Sequence, residues 1–166
     1  FRDMIITNGY PKDITDRDFM TYRVSASKIA PKDLLLEQIP QVKLHNYAFR
    51  NNGNSTFSEV SKQWGLSEPT FSSGAAYGDL DNDGDMDLVI NNTNQVSMVY
   101  ENRTDHDNEK SNNYLQLKFE GSAQNRDGIG AWVELYYGKG KMQVYEHTPY
   151  RGYLSSMQNI AHFGLG

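Results

Sequence analysis

The residues best suited to chemistry are five aspartates on alternate positions, Asp79, Asp81, Asp83, Asp85 and Asp87, in the stretch Gly78-Asp79-Leu80-Asp81-Asn82-Asp83-Gly84-Asp85-Met86-Asp87. Five carboxylates within nine residues repel one another unless a cation sits among them. Calcium takes about 6–8 hard oxygen ligands at roughly 2.3–2.6 Å, and alternate side chains of a curled loop can supply them. Gly84 follows the third aspartate, where a sharp turn calls for a residue without Cβ. The pattern predicts a Ca2+ site with side-chain ligands from Asp79, Asp81, Asp83 and Asp87 and a backbone carbonyl from Asp85. The alternative is a solvated acidic turn, which does not account for alternate placement around a glycine. Magnesium keeps its waters and fits an all-protein cage less well.

The loop resembles the first half of an EF-hand, but its ring must close early. An EF-hand needs a bidentate Glu at its twelfth position, which is Ile90 here, and a helix on each side. Leu88-Val89-Ile90 reads instead as a buried strand, so Asp87, at the ninth position, is the simplest closure.

Other chemistry finds little support. The chain has no cysteine, hence no thiolate nucleophile, disulfide or Cys-based zinc site. The histidines, His45, His106, His147 and His162, lack HExxH or paired spacing, and His162 beside Phe163 reads as structural. Glycoside hydrolysis needs two carboxylates across a cleft, whereas these aspartates are local and at ligand spacing. No GxSxG, P-loop or nucleotide fingerprint is present. Arg151-Gly152 with Ser155 and Ser156 reads as a hydrogen-bonded turn, with an anion or sugar contact as the alternative. Tyr136, Tyr137, Tyr145, Tyr150 and Tyr153 read as packing residues, with a glycan-stacking platform as the alternative. Asn54-Ser55-Thr56, Asn91-Asn92-Thr93 and Asn102-Arg103-Thr104 match glycosylation sequons, which arise easily in an Asn-rich chain.

The elements that must position the loop are short strands. In 166 residues, 37% hydrophobic and rich in Gly, Asn, Ser and Tyr, many turns and small sheets are expected rather than helical bundles. A net charge of -5 disfavours a nucleic-acid partner, because phosphate binding needs a basic face. No stretch approaches the roughly 18 apolar residues of a membrane span, and no signal peptide is visible. Strand patterns run through Asp3–Asn8, Tyr47–Arg50, Thr56–Val60, Trp64–Leu66, Gly74–Gly78, Leu88–Ile90, Val96–Tyr100, Tyr114–Phe119, Ala131–Tyr136 and Met142–Tyr145. Turns fall at Asn8-Gly9-Tyr10-Pro11, at Asn51-Asn52-Gly53-Asn54 and at Gly138-Lys139-Gly140-Lys141, the last a hairpin. Between about residues 12 and 41 lies a partly helical insertion, with Pro31 in a first turn and Pro40 as its stop. Asp105–Asn113 is polar without periodicity and reads as a linker between residues 1–104 and 114–166. Arg2-Asp3-Met4-Ile5-Ile6-Thr7-Asn8 matches Met86-Asp87-Leu88-Val89-Ile90-Asn91-Asn92, a weak repeat that sets Asp3 where Asp87 falls. A chain opening at Phe1 inside a strand pattern is expected for a piece of a repeat array.

Two resemblances sharpen these expectations. Gly74-Ala75-Ala76-Tyr77-Gly78 with the acidic loop and Leu88–Asn92 resembles the FG-GAP or VCBS repeat, a β-propeller blade that carries a calcium loop between strands. Residues 47–66 look like the strand-and-turn region before that loop. Residues 113–166 resemble the ASPIC/UnbV domain, through Asn125-Arg126-Asp127-Gly128-Ile129-Gly130-Ala131, Arg151-Gly152-Tyr153-Leu154-Ser155-Ser156 and His162-Phe163-Gly164-Leu165-Gly166. The resemblances imply an all-β chain with a minor helical insertion, a partial propeller followed by a small antiparallel β-sandwich-like domain. A propeller needs about four or more blades, and this chain holds little more than one. They also imply an extracellular or cell-envelope setting, the bacterial outer surface or periplasm foremost. The expected function is a non-catalytic calcium-binding interaction module for a protein or polysaccharide, with self-association through exposed strand edges. The alternative is an accessory or catalytic part of an envelope polysaccharide-processing enzyme whose active site lies outside these residues.

Overall fold

A computed structural model of the chain describes residues 2–104 and 112–166. Residues 105–111, most of the expected linker, lie outside the described residues, and His106 with them. The chain is mainly β, with short strands in small antiparallel sheets and two helices among the described residues.

The chain folds as two compact units: Phe1–Ser73 with Asn91–Ser97, and Gly74–Ile90 with Met98–Gly166. The acidic loop thus belongs with the C-terminal strands. The first unit holds β1 (Met4–Ile6), α1 (Arg17–Ala26), α2 (Lys32–Glu37), β2 (Leu44–His45), β3 (Tyr47–Asn51), β4 (Phe57–Glu59) and β5 (Pro69–Thr70). β3 is the centre of a three-stranded antiparallel sheet, with β1 on one side (Ile5 opposite Ala48) and β4 on the other (Arg50 opposite Ser58). Ala48 of β3 is nearly inaccessible to solvent, as are Val60 and Leu66 of the same unit.

The insertion is helical for local reasons. The Asp16 carboxylate accepts from Phe19 N at 2.8 Å and caps α1, with Asp18 in the first turn and Arg23 in the last, both favourable to the helix dipole. Phe19 and Ala26 are its buried residues. Pro31 stands at the N-cap position of α2 without a side-chain cap, just ahead of the first turn expected for it, and the helix ends at Glu37, before Pro40.

Much of the first unit's interior is polar. Asn46, Thr70 and Ser72 are almost fully buried, and Asn92 nearly so. Asn46 Nδ2 donates to Ser72 Oγ (2.8 Å), Ser72 Oγ donates to Asn92 Oδ1 (2.8 Å), and Thr70 Oγ1 pairs with Ser72 Oγ (2.8 Å). Asn8 joins them, accepting from Ser72 N and donating to the Thr70 and Leu44 carbonyls. A buried network of this kind is stable only when every member is paired, which ties these strand ends to one register.

Two expected strand segments take other forms. Trp64–Leu66 is a turn, because Trp64 N bonds Val60 O and Leu66 N bonds Ser61 O, with Gly65 at φ 78°. Local partners satisfy those donors and leave nothing for a ladder. Val96-Ser97 lies ahead of its strand: Asn94 takes φ 56° and the Asn92 side chain donates to Val96 O, so pairing begins only at Met98.

The loop sits between β6 (Ser72–Gly78) and β7 (Asp87–Asn92), which form a three-stranded sheet with β8 (Met98–Tyr100) in the order β6-β7-β8. Ile90 is fully buried, and Leu88, Val89 and Ile90 stand opposite Tyr100, Val99 and Met98. The second unit continues with β9 (Tyr114–Lys118), β10 (Trp132–Tyr137), β11 (Lys141–Glu146) and β12 (Ile160–Gly164). β10 and β11 make the expected hairpin, with Gly138 and Gly140 at positive φ in its turn. β9 pairs with β12, Gln116 opposite His162 and Leu115 opposite Phe163. Ala161 and Phe163 are buried; Phe163 meets the edge of Tyr145 at 5.8 Å, and fully buried His147 stacks on Phe119 at 4.1 Å.

The weak repeat has a structural counterpart. Asp3 Oδ1 accepts from Asn51 N at the end of β3, and Asp87 Oδ1 accepts from Asn102 N just beyond β8, both at 2.8 Å. In each copy an aspartate at the start of one strand, Asp3 just ahead of β1 and Asp87 as the first residue of β7, fastens the chain at the end of the neighbouring strand.

Candidate metal centre

The acidic loop curls because two of its residues take left-handed backbone conformations, Asn82 at φ 63° and Gly84 at φ 96°. Its own carboxylates hold the curl: Asp81 Oδ1 accepts from Asp83 N (3.4 Å), Asp83 Oδ1 from Asp85 N (2.8 Å) and Asp79 Oδ2 from Gly84 N (3.2 Å). One ligand atom from each of Asp79, Asp81 and Asp83 falls within 4.8 Å of the others. Asp79 Oδ1 is buried and has no hydrogen-bond partner among the described residues. A buried carboxylate oxygen left without a donor is costly in itself and is the atom a hard cation would satisfy. All-oxygen donors and this orphaned oxygen fit calcium.

Asp85 and Asp87 stand apart from that trio. Asp87 is only 4% exposed, and both its oxygens receive backbone donors: Oδ2 from Leu80 N (3.0 Å) and Oδ1 from Asn102 N (2.8 Å). It closes the loop as a brace between its first turn and the segment after β8, and each oxygen keeps a lone pair for an ion.

The β9–β12 sheet adds side chains that sequence spacing does not reveal. Period-two alternation sends Tyr114 and Gln116 to one face of β9, and His162 shares that face through its pairing with Gln116. Gln116 Nε2 donates to Asp79 Oδ2 at 3.2 Å, from 37 positions along the chain. The Tyr114 ring occupies the space beside Gly84, where an added Cβ would come within 2.2 Å of it. Tyr114 stacks on His162 at 5.4 Å, so the histidine expected to be a structural residue beside Phe163 is a half-buried part of this wall. Burial pushes the His162 imidazolium below the ordinary histidine pKa, while the charges of Asp79 and Asp85 act in the opposite direction.

The remaining candidates have structural work. Arg151 lies over the Tyr145 ring at 5.4 Å, donates through Nε to the Tyr77 hydroxyl (3.3 Å) and through Nη1 to the Tyr150 carbonyl (3.1 Å). Ser155 Oγ accepts from Ala75 N and donates to Tyr153 O. Asn125 fixes the loop Asn125–Ala131 by exchanging two bonds of 2.9 Å with Ile129. Of the tyrosines, Tyr136, Tyr150 and Tyr153 are well exposed, whereas Tyr145 packs against Phe163.

Comparison with known families places these features. Residues 40–90 match the FG-GAP-like repeat, and residues 121–166 match the ASPIC and UnbV family. The chain therefore carries an FG-GAP-like repeat followed by an ASPIC/UnbV domain, in the order the sequence resemblances imply. Together the two point to an extracellular repeat and interaction module. No curated protein and no solved structure gives a significant match. Among the described residues, no helix is long and apolar enough to cross a membrane.

Proposed function

We propose that the chain is a calcium-binding, non-catalytic interaction module of an extracellular or cell-envelope protein, with a protein or polysaccharide as its ligand. The observation that supports this is the convergence of Asp79, Asp81 and Asp83 around a buried, unpartnered oxygen of Asp79, inside a repeat of the FG-GAP type. The three carboxylates hold the ion, the Asp85 carbonyl and Asp87 complete the ring, and the ion's role is to neutralise the loop and stiffen the repeat. Extracellular calcium modules bind at about 10⁻⁴–10⁻³ M, and at a hundred times the dissociation constant linkage adds about 2.7 kcal/mol of stability. Such a site fills where calcium is plentiful.

Calorimetric titration with calcium, paired with thermal melts, tests this. The wild-type chain should bind at millimolar concentration or tighter and melt higher with calcium. Asp81→Ala with Asp83→Ala should remove both effects. A well-folded chain that takes up no calcium at millimolar concentration would sink the reading.

A further inference from the structure

The wall that β9 and β12 present to the loop has a meaning beyond packing. Two side chains on one face of this sheet engage the acidic loop, Gln116 the Asp79 carboxylate and Tyr114 the backbone at Gly84, and His162 stacks on Tyr114 beside them. Gln116 and Gly84 N together occupy Asp79 Oδ2, which leaves Oδ1 as the oxygen facing no donor. The sheet therefore helps the loop's own Gly84 amide to set which Asp79 oxygen is free, and it belongs to the same compact unit as the loop.

We infer that Gln116 is a positioning residue for the ion, and that ion binding in the repeat is coupled through it to the order of the β9–β12 sheet. The coupling rests on the calcium reading above. Its physical basis is mutual. With Gln116 in place, Asp79 is already turned toward the ion, so less ordering remains for binding to supply. Conversely, an ion on Oδ1 fixes Asp79, and the fixed carboxylate holds Gln116 and the ring of Tyr114 in their places. By linkage, whatever calcium gains from the sheet the sheet gains from calcium. The ion then acts as a latch between the acidic loop and the C-terminal strands.

The test uses the whole chain. Gln116→Leu keeps the bulk but cannot donate, and losing a hydrogen bond to a charged group of this kind should weaken calcium affinity roughly tenfold. A merely structural role would lower the melting temperature equally with and without calcium; here the metal-free melt should change little and the calcium-dependent rise should shrink. In the wild-type chain, calcium should slow amide hydrogen exchange in Tyr114–Lys118 and Ile160–Gly164 as well as in the loop. That measurement needs no variant to fold. If the wild-type chain takes up no calcium, the functional reading itself falls. If it does bind, yet either the Gln116→Leu affinity is unchanged or exchange in the two strands is indifferent to calcium, the latch is overturned and the metal site stands.

Discussion

At the scale of single residues, the five aspartates divide their labour. Asp79, Asp81 and Asp83 converge, whereas Asp87 is buried and spends both oxygens on backbone donors. Removing its carboxylate strands the Leu80 and Asn102 amides, so Asp87→Ala should destabilise the metal-free protein by about 3 kcal/mol. Asp81→Ala should change the metal-free stability little and act only on calcium binding. Urea melts in chelator separate the two; equal losses would contradict the brace. A second residue-scale prediction concerns exposed Glu134 on β10, which accepts from the Tyr136 hydroxyl (2.7 Å) and from Trp132 Nε1 (3.3 Å). The Tyr136 bond, and then the Trp132 bond, hold the Glu134 carboxyl below the ordinary glutamate value, and the carboxylate in turn raises the Tyr136 phenol. Glu134's contribution to stability is therefore present above its unfolded pKa and is lost as pH falls through the depressed folded value. Tyr136's is present below its unfolded pKa and is lost as pH rises through the raised folded value. Tyr136→Phe should return Glu134 upward in an NMR titration; an unmoved Glu134 would mean that the bond is not made in solution.

At the scale of elements, the acidic loop and β9 are built around one missing side chain. Gly84 is required twice, by its φ of 96° and by the Tyr114 ring that fills the Cβ position. Gly84→Ala therefore meets backbone strain of about 1 kcal/mol or more and a clash that must displace the ring. Its expected result is a weaker calcium site together with an altered tyrosine environment, readable by near-ultraviolet circular dichroism. Calcium binding and tyrosine signal both unchanged in Gly84→Ala would show that the ring does not pack there. The alternation of β9 and β10 is legible in their period-two patterns, as are the partly helical insertion and the Gly-flanked hairpin turn, whereas β12 lies outside the strand patterns read from the sequence. The Trp64–Leu66 turn is not, because a short apolar run reads alike in a strand and in a turn whose donors are satisfied locally. The buried Asn46–Ser72–Asn92 network is equally invisible, since polar residues at the ends of strands resemble ordinary turn residues until the register brings them together.

At the scale of the whole molecule, the sheets are narrow. Among the described residues the strands lie in sheets of two or three, and strands such as β9 and β10 are flanked by a ladder on one side only. Open edges recruit other strands. Exposed Trp132, Tyr136 and Met142 on the β10–β11 hairpin add apolar surface beside such an edge. The chain should self-associate as its concentration rises, measured by light scattering, and a Lys introduced at Val99 of β8 or at Met142 of β11 should reduce it. A clean monomer at millimolar concentration would contradict this.

Local chemistry is determined by sequence alone. Charge crowding in five alternate aspartates, a glycine where the loop must turn, and the alternation of short strands are properties of neighbouring residues, and neighbours are what a sequence shows. The same holds for the two families, whose fingerprints are local runs. Tertiary structure decides which oxygen of Asp79 is left without a donor, that Asp87 braces rather than simply joins the cluster, and that Gln116, Tyr114 and His162 stand over the loop. Each of these depends on strand register and on contacts between distant positions, such as Asp79 with Gln116 across 37 residues. Such contacts are set by packing, which no periodicity encodes.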